Sequence, residues 1–253
     1  MKENNRDDWD QHWSNYTVAA TSNPAQHFRF KRICHMINEL TMYGTEPKLV
    51  DVGCGNGDFL HYLTQESPEV RCMGIEPSRS GSEIASRKLG EGKVRKLDLI
   101  KAGAEDTKDI NADIVVCTEV LEHLDDPALL LSAIRTKIML PGSRIVISVP
   151  GGPRSAYDRH IGHRRHFSRS RLYALIESTG FEEIRIQRSG FPFFNLYKTI
   201  VILMGRRLIS SPEKYTGSGN GPSRLSIILM RMMEAGPRDN RFGWQLFASA
   251  VCR

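Results

Sequence analysis

The stretch Leu49-Val50-Asp51-Val52-Gly53-Cys54-Gly55-Asn56-Gly57-Asp58-Phe59-Leu60 limits what this chain can fold into more than any other. A short β-branched run ends at an acid and three alternating glycines follow. A helix start with Phe59, Leu60, Tyr62 and Leu63 as its apolar residues comes next. Strand, glycine turn and helix in that order build a nucleotide-type ligand site at the carboxyl end of a sheet strand. A dinucleotide fingerprint would need its third glycine where Asp58 stands, which weakens a nicotinamide dinucleotide reading.

The rest of the chain repeats this alternation. Asn23-Pro24 reads as an N-cap with proline at the first helical position, opening a helix to about Leu40. Its stripe of Phe30, Ile33, Met36, Ile37 and Leu40 is core spacing. Strands are expected over Lys48–Val52, Val70–Ile75, Val94–Leu97, Asp113–Cys117, Arg144–Val149, Glu183–Ile186 and Trp244–Cys252. Helices are expected over Gly57–Gln65, Ser82–Leu89, Asp126–Leu140 (stopped by Pro141-Gly142) and Arg169–Thr179. Strands alternating with helices at this spacing predict an α/β fold, a doubly wound and mostly parallel seven-stranded sheet. Residues 191–242 break the pattern with two helical segments around a Ser/Gly/Pro-rich loop, Ser210–Pro222. They read as a helical insertion before the last strand.

Of 253 residues, enough for one domain with an insertion, 23–190 and 243–253 form the expected core, 191–242 a cap and 1–22 an N-terminal leader. Trp9, Trp13 and Tyr16 stand out in that polar leader as a candidate flap over a ligand. Five dispersed cysteines without a Cys-x-x-Cys pair argue for a reducing, cytoplasmic setting, and the polar first residues do not resemble a signal peptide. No run approaches the ~20 apolar residues of a bilayer span. The net charge of +6 permits anionic partners without establishing nucleic-acid binding, which is not the expected role.

Four elements in order carry a family resemblance. Asp51-x-Gly53-x-Gly55-x-Gly57 is followed by Glu76-Pro77 at the end of strand two. Asp98-Leu99 closes strand three, and Thr118-Glu119-Val120-Leu121-Glu122-His123 follows strand four. Together they resemble the class I S-adenosylmethionine-dependent methyltransferases, with a Rossmann-like methyltransferase fold, over roughly Lys48 to Phe181 and the last strand. The strand-four motif resembles the branch containing the ubiquinone O-methyltransferases. The resemblance implies S-adenosyl-L-methionine as cofactor and S-adenosyl-L-homocysteine as product. It places the cofactor against Asp51, Gly53, Cys54, Gly55, Asn56, Gly57, Phe59, Glu76, Pro77, Asp98, Leu99, Thr118 and Glu119. Glu76 would take the ribose hydroxyls, Asp98-Leu99 would flank the adenine, and Asp51 would lie near the methionyl amino end.

Methyl transfer is an in-line displacement, for which proximity and alignment alone can supply roughly 7–11 kcal/mol. A hydroxyl acceptor must also lose a proton, so a base near strand four is expected. His123 is the first candidate, with orientation of its own loop as the alternative role. His163, in Gly162-His163-Arg164-Arg165-His166-Phe167-Ser168, is the second. Glu119, Glu122 and His123 also match a Glu-x-x-Glu-His pattern that supplies metal ligands in ubiquinone O-methyltransferases and small-RNA 2′-O-methyltransferases. The latter add a histidine after strand five, which His163 matches, so a divalent cation is an open option.

The Arg154–Arg171 loop carries six arginines against Asp158, either as a solvated basic face or as forks for an anionic acceptor. Residues 191–242 can pack as core, line an acceptor pocket, form a homodimer contact or lie on an anionic membrane surface. The expected activity is O-methylation of a small hydroxylated acceptor, whether lipid-linked, glycosidic or anionic. RNA methylation and a non-catalytic binding module that keeps the fold are the alternatives.

Overall fold

A computed structural model describes residues 8–13, 23–41, 46–210 and 224–253. Tyr16, most of the leader and the Ser/Gly/Pro-rich stretch after Ser210 lie outside them. After a short helix α1 (residues 9–13) the order is α2 (Pro24–Leu40), β1 (Lys48–Val52), α3 (Asp58–Glu66), β2 (Arg71–Glu76), α4 (Arg79–Leu89) and β3 (Val94–Lys96). Then come α5 (Ala104–Thr107), β4 (Ala112–Thr118), α6 (Pro127–Lys137), β5 (Met139–Pro150), α7 (Ala156–His160), α8 (Arg169–Ser178) and β6 (Phe181–Ser189). The last three are α9 (Phe193–Ser210), α10 (Arg224–Ala235) and β7 (Gln245–Cys252).

The seven strands lie in the order β3-β2-β1-β4-β5-β7-β6. The pairs from β3 to β5 are parallel, while β7 runs antiparallel to both β5 and β6. The expected doubly wound, mostly parallel sheet is therefore present, with α9 and α10 between the last two strands in sequence. Alternation along the strands sends residues to two apolar layers. Val50, Val52, Val115 and Cys117 pack with Leu131 of α6 and Leu172 of α8. Leu49, Ile114, Val116 and Phe247 pack on the other face with Phe28 of α2, Leu60 of α3 and Phe194 of α9.

The caps follow local chemistry. Asn23 Oδ1 accepts from Ala25 N and Asp126 Oδ1 from Ala128 N, each beside a proline at the first helical position. Among the boundaries that differ from expectation, two have a clear local cause. α6 ends at Lys137, and Pro141-Gly142 sits inside the long β5, where Leu140 N bonds the Ser143 hydroxyl. Gly57 does not begin α3 but stands before it in the left-handed region (φ 76°). Among the described residues, no helix is long and apolar enough to cross a membrane.

Candidate active site

Strands β1, β2, β3 and β4 end side by side, and their turns enclose a cavity of about 230 Å³. Gly53 turns the chain out of β1 at φ +77°, donating its N–H to the Ile75 carbonyl (2.8 Å). A Cβ here would meet Val120 Cγ2 at 2.6 Å, so only glycine lets the turn lie against the strand-four loop. Glu76 ends β2, 4% exposed. One of its oxygens accepts from Gly55 N (2.9 Å), the other from Ser78 N (3.0 Å) and Ser78 Oγ (2.6 Å). The carboxylate thus ties the glycine turn to the start of α4, and burial raises its pKa. Asp51, in β1 two residues before Gly53, is 1% exposed and lies outside the cavity lining, and its Oδ1 has no hydrogen-bond partner among the described residues. Burial, reinforced by Glu76, pushes its pKa to about 8.

Of the residues read from the sequence, Gly53, Glu76, Pro77, Asp98, Leu99, Glu119 and His123 line this cavity. The side chains of Cys54, Asn56 and Phe59 turn elsewhere. Cys54 Sγ fills the space above Gly74, and Asn56 bonds Asp58, while Phe59 packs on Phe30. Gly57 faces Ala85 of α4, and Thr118 ends β4 outside the lining. Gly55 (φ +55°) is roofed by Trp13, whose ring would lie 2.3 Å from a Cβ there. Trp9 and Trp13 both line the cavity, and Trp9 meets His123 edge-on at 4.7 Å. α1 is pinned there by Ser80, whose N–H donates to Asp10 Oδ1 and whose hydroxyl donates to the Asp10 carbonyl, both at 2.8 Å.

Glu119 directly follows β4, on the cavity wall. It takes φ +54°, a strained region for a residue with a Cβ. Its Oε1 accepts from Gln245 Nε2 (2.7 Å) and Ser148 Oγ (3.0 Å), and its Oε2 lies 3.6 Å from Arg29 Nη1. Beyond it a smaller space is lined by Arg29, Lys198, His163, His166, Trp244 and Gln245, among others. Glu122 is fully buried, and neither of its oxygens hydrogen-bonds among the described residues. Burial first, then Glu119, raises its pKa well above the carboxylate range. His123 Nε2 is 3.9 Å and His163 Nε2 4.0 Å from Glu122 Oε1. Burial, reinforced by His123, pushes His163 down to about 2, so its ring is neutral.

Glu122, His123 and His163 each place one ligand atom within 4.8 Å of the others. That donor set fits a divalent cation, whereas Glu119 lies outside the group, held by Ser148, Gln245 and Arg29. The basic loop is largely committed to its own backbone and to Asp125. Arg154 donates to the Arg164 carbonyl and Arg159 to that of Arg154. Arg164 pairs with the Asp125 carboxylate, and Arg165 bonds the Asp125 carbonyl.

Sequence reasoning overlooked Arg29, Ser148, His166, Lys198 and Gln245. Only His166, three residues after His163, carried a local signal. The apolar lining of Val52, Ile75, Leu97, Ile100, Val120, Leu124 and Leu130 was implicit in the strand ends.

A family profile for the methyltransferase domain matches residues 25–186. The ubiquinone biosynthesis O-methyltransferase of Saccharophagus degradans is 34% identical over 115 residues, 44% of this chain and 47% of that protein. The Acinetobacter baylyi protein of the same name is 27% identical over 134 residues, 49% of this chain and 55% of its own length. The chain thus spans about half the length of the curated relatives it matches. Among solved structures, an S-adenosylmethionine-dependent methyltransferase of Thermotoga maritima, described as a possible histamine N-methyltransferase, superposes with a TM-score of 0.59. It is 16% identical, over 98% of this chain and 97% of that one. A plantazolicin methyltransferase in complex with a monoazolic desmethylPZN analogue and S-adenosylhomocysteine reaches 0.62 at 15% identity, over 98% and 93%. With this profile match, strand order and sequence of strand-end motifs, the chain belongs to the methyltransferase domain family, in its class I, S-adenosylmethionine-dependent group.

Proposed function

We propose that the chain binds S-adenosylmethionine in the cavity at the ends of β1–β4 and methylates a hydroxyl of a small acceptor. The observation that carries the cofactor reading is a pair of buried acids, Glu76 in the cavity lining and Asp51 in β1 outside it. Asp51 has an unsatisfied oxygen that suits the ammonium of an amino acid. Glu76 is fixed by Gly55 and Ser78, with further lone pairs for the hydroxyls of a ribose. Apolar Leu97, Leu99, Ile100 and Leu130 form the wall expected around a purine, and Trp13 closes the glycine turn.

When bound, the cofactor supplies an electrophilic methyl group. The chain contributes alignment, exclusion of water under α1, and a proton acceptor. His123 lines the cavity wall and is the residue proposed to take the hydroxyl proton. In the alternative arrangement, Glu122, His123 and His163 would hold a divalent cation, which would acidify a bound hydroxyl in place of proton transfer to His123. Distant likeness to ubiquinone O-methyltransferases favours a hydroxylated acceptor over the RNA and non-catalytic readings. The commitment of the basic loop to Asp125 and to loop carbonyls also removes much of the support for a phosphate guide. The test is calorimetry with S-adenosylmethionine, followed by detection of S-adenosylhomocysteine with a panel of catechols and phenols. No cofactor binding would overturn the assignment. Binding with turnover only on amines would overturn the oxygen acceptor.

Attachment to an anionic membrane surface is a second, compatible reading. Leu196, Ile200 and Leu203 project from one face of α9 and Ile228 and Met232 from α10; Leu203 is 80% exposed. The intervening sequence 206–224 carries Arg206, Arg207, Lys214 and Arg224 against Glu213. Sedimentation with phosphatidylglycerol vesicles at low salt, and release at high salt, is the expected behaviour.

A further inference from the structure

We propose that His166 is a positioning residue that fixes the tautomer of His163, turning a bare Nε2 lone pair toward Glu122 and His123. The inference rests on the reading of this side of the cavity as the acceptor side, and its geometry is a chain of hydrogen bonds with only one consistent direction. His166 Nδ1 lies 2.7 Å from the Gly152 carbonyl. A carbonyl oxygen can only accept, so the proton sits on His166 Nδ1. A neutral imidazole carries a single ring proton, so with that proton on Nδ1 the His166 Nε2 is an acceptor. His166 Nε2 is 3.0 Å from His163 Nδ1. The proton between them must therefore belong to His163 Nδ1, which leaves His163 Nε2 unprotonated.

The start of this relay is held in place by the sheet. Gly151 N and Gly152 N both donate to the Trp244 carbonyl (2.8 and 3.1 Å), and a Cβ on Gly152 would strike Trp244 at 2.7 Å. His163 is anchored from its backbone, its N–H donating to the Asp158 carbonyl at 2.9 Å, and Arg164 N donates to the Glu122 carbonyl at 2.8 Å. The loop after β5 is thus stitched to the loop after β4, and the His163 ring meets the His123 ring edge-on at 4.7 Å. The direction matters because only the lone-pair form can receive a proton or ligate a cation. With the opposite tautomer the ring would present an N–H to Glu122 and His123. A partner that fixes the remote ring nitrogen is the usual device for setting a functional histidine.

The test is spectroscopic and needs no acceptor. Long-range ¹H–¹⁵N correlation spectra of the full chain labelled in histidine, at neutral pH, should show His163 as a single tautomer protonated on Nδ1. His166→Phe should remove that bias and give mixed or Nε2-protonated His163. His166→Gln, whose amide can donate to Gly152 and accept from His163, should restore the wild-type pattern. A wild-type His163 protonated on Nε2 overturns the proposal, even if the phenylalanine variant does not fold. An unchanged His163 signature in a folded His166→Phe protein overturns it equally. Cofactor calorimetry on the same samples separates the two ideas. Lost cofactor binding in the wild type refutes the methyltransferase reading of the cavity, whereas the tautomer result stands or falls by the spectra.

Discussion

Asp51 shows how a single buried acid can link the fold to a ligand. Its folded pKa of about 8 lies above the ordinary aspartate value of 3.8, so between those values the folded protein holds a proton that the unfolded chain releases. Asp51 therefore makes stability fall as pH rises toward about 8 and level off above it. A cation seated beside Asp51 favours the ionised form. Cofactor binding should then release a proton, and affinity should rise as pH approaches about 8, measurable by calorimetry in buffers of different ionisation enthalpy. Asp51→Ala and Glu76→Ala should each weaken cofactor binding by about 1–3 kcal/mol, roughly 5–150-fold in Kd. Equal affinity in both variants would remove the cofactor assignment. The positions of Asp51 and Glu76 were legible because each acid stands at the carboxyl end of a short strand pattern, where the parallel sheet must open. The Glu119 cluster was not. Arg29, Ser148 and Gln245 come from α2, β5 and β7, and only the pairing of β5 with β7 brings the last two together.

At the level of elements, two structures border the cavity without belonging to the glycine turn. Lys137, closing α6, donates its ammonium to the carbonyls of Leu99, Ile100 and Ala102 at 2.8–3.0 Å. It holds the loop after β3 against the proposed adenine wall. Lys137→Met should raise the KM for cofactor, with about 1–3 kcal/mol of lost binding, and leave kcat nearly unchanged. A fall in kcat alone would show that the loop acts elsewhere. α1 is held on the opposite side by Asp10 and Ser80. Asp10→Ala removes the bond that Ser80 N donates, and because that bond is exposed to solvent the loss should be small. Stopped-flow tryptophan fluorescence should report this as faster cofactor release, since Trp9 and Trp13 line the cavity. Helix caps and apolar periodicity made most element positions readable from sequence. α5 and α7, of four and five residues, are too short for a periodic signal. Pro141-Gly142 looked like a helix stop because a turn inside an extended strand carries the same residues.

Across the whole molecule, the two apolar layers leave the thiols out of reach. Cys34, Cys54, Cys72, Cys117 and Cys252 are all free and all buried, and burial pushes Cys34 up to about 12. Native protein should react slowly with a thiol reagent at neutral pH and release all five equivalents only on denaturation. Rapid labelling of the native state would show that the layers open locally. The order β5-β7-β6 also bears on synthesis. β6 is made before β7 yet lies outside it, so β6 has no neighbour to pair with until β7 arrives. Gln245, the first residue of β7, is also the residue that clamps Glu119. On the ribosome, the glycine turn and its acids can be set while β1–β5 emerge, but the clamp on Glu119 closes only with the last strand. The glycine turn and its acids should therefore be set in a growing chain before Gln245 reaches Glu119.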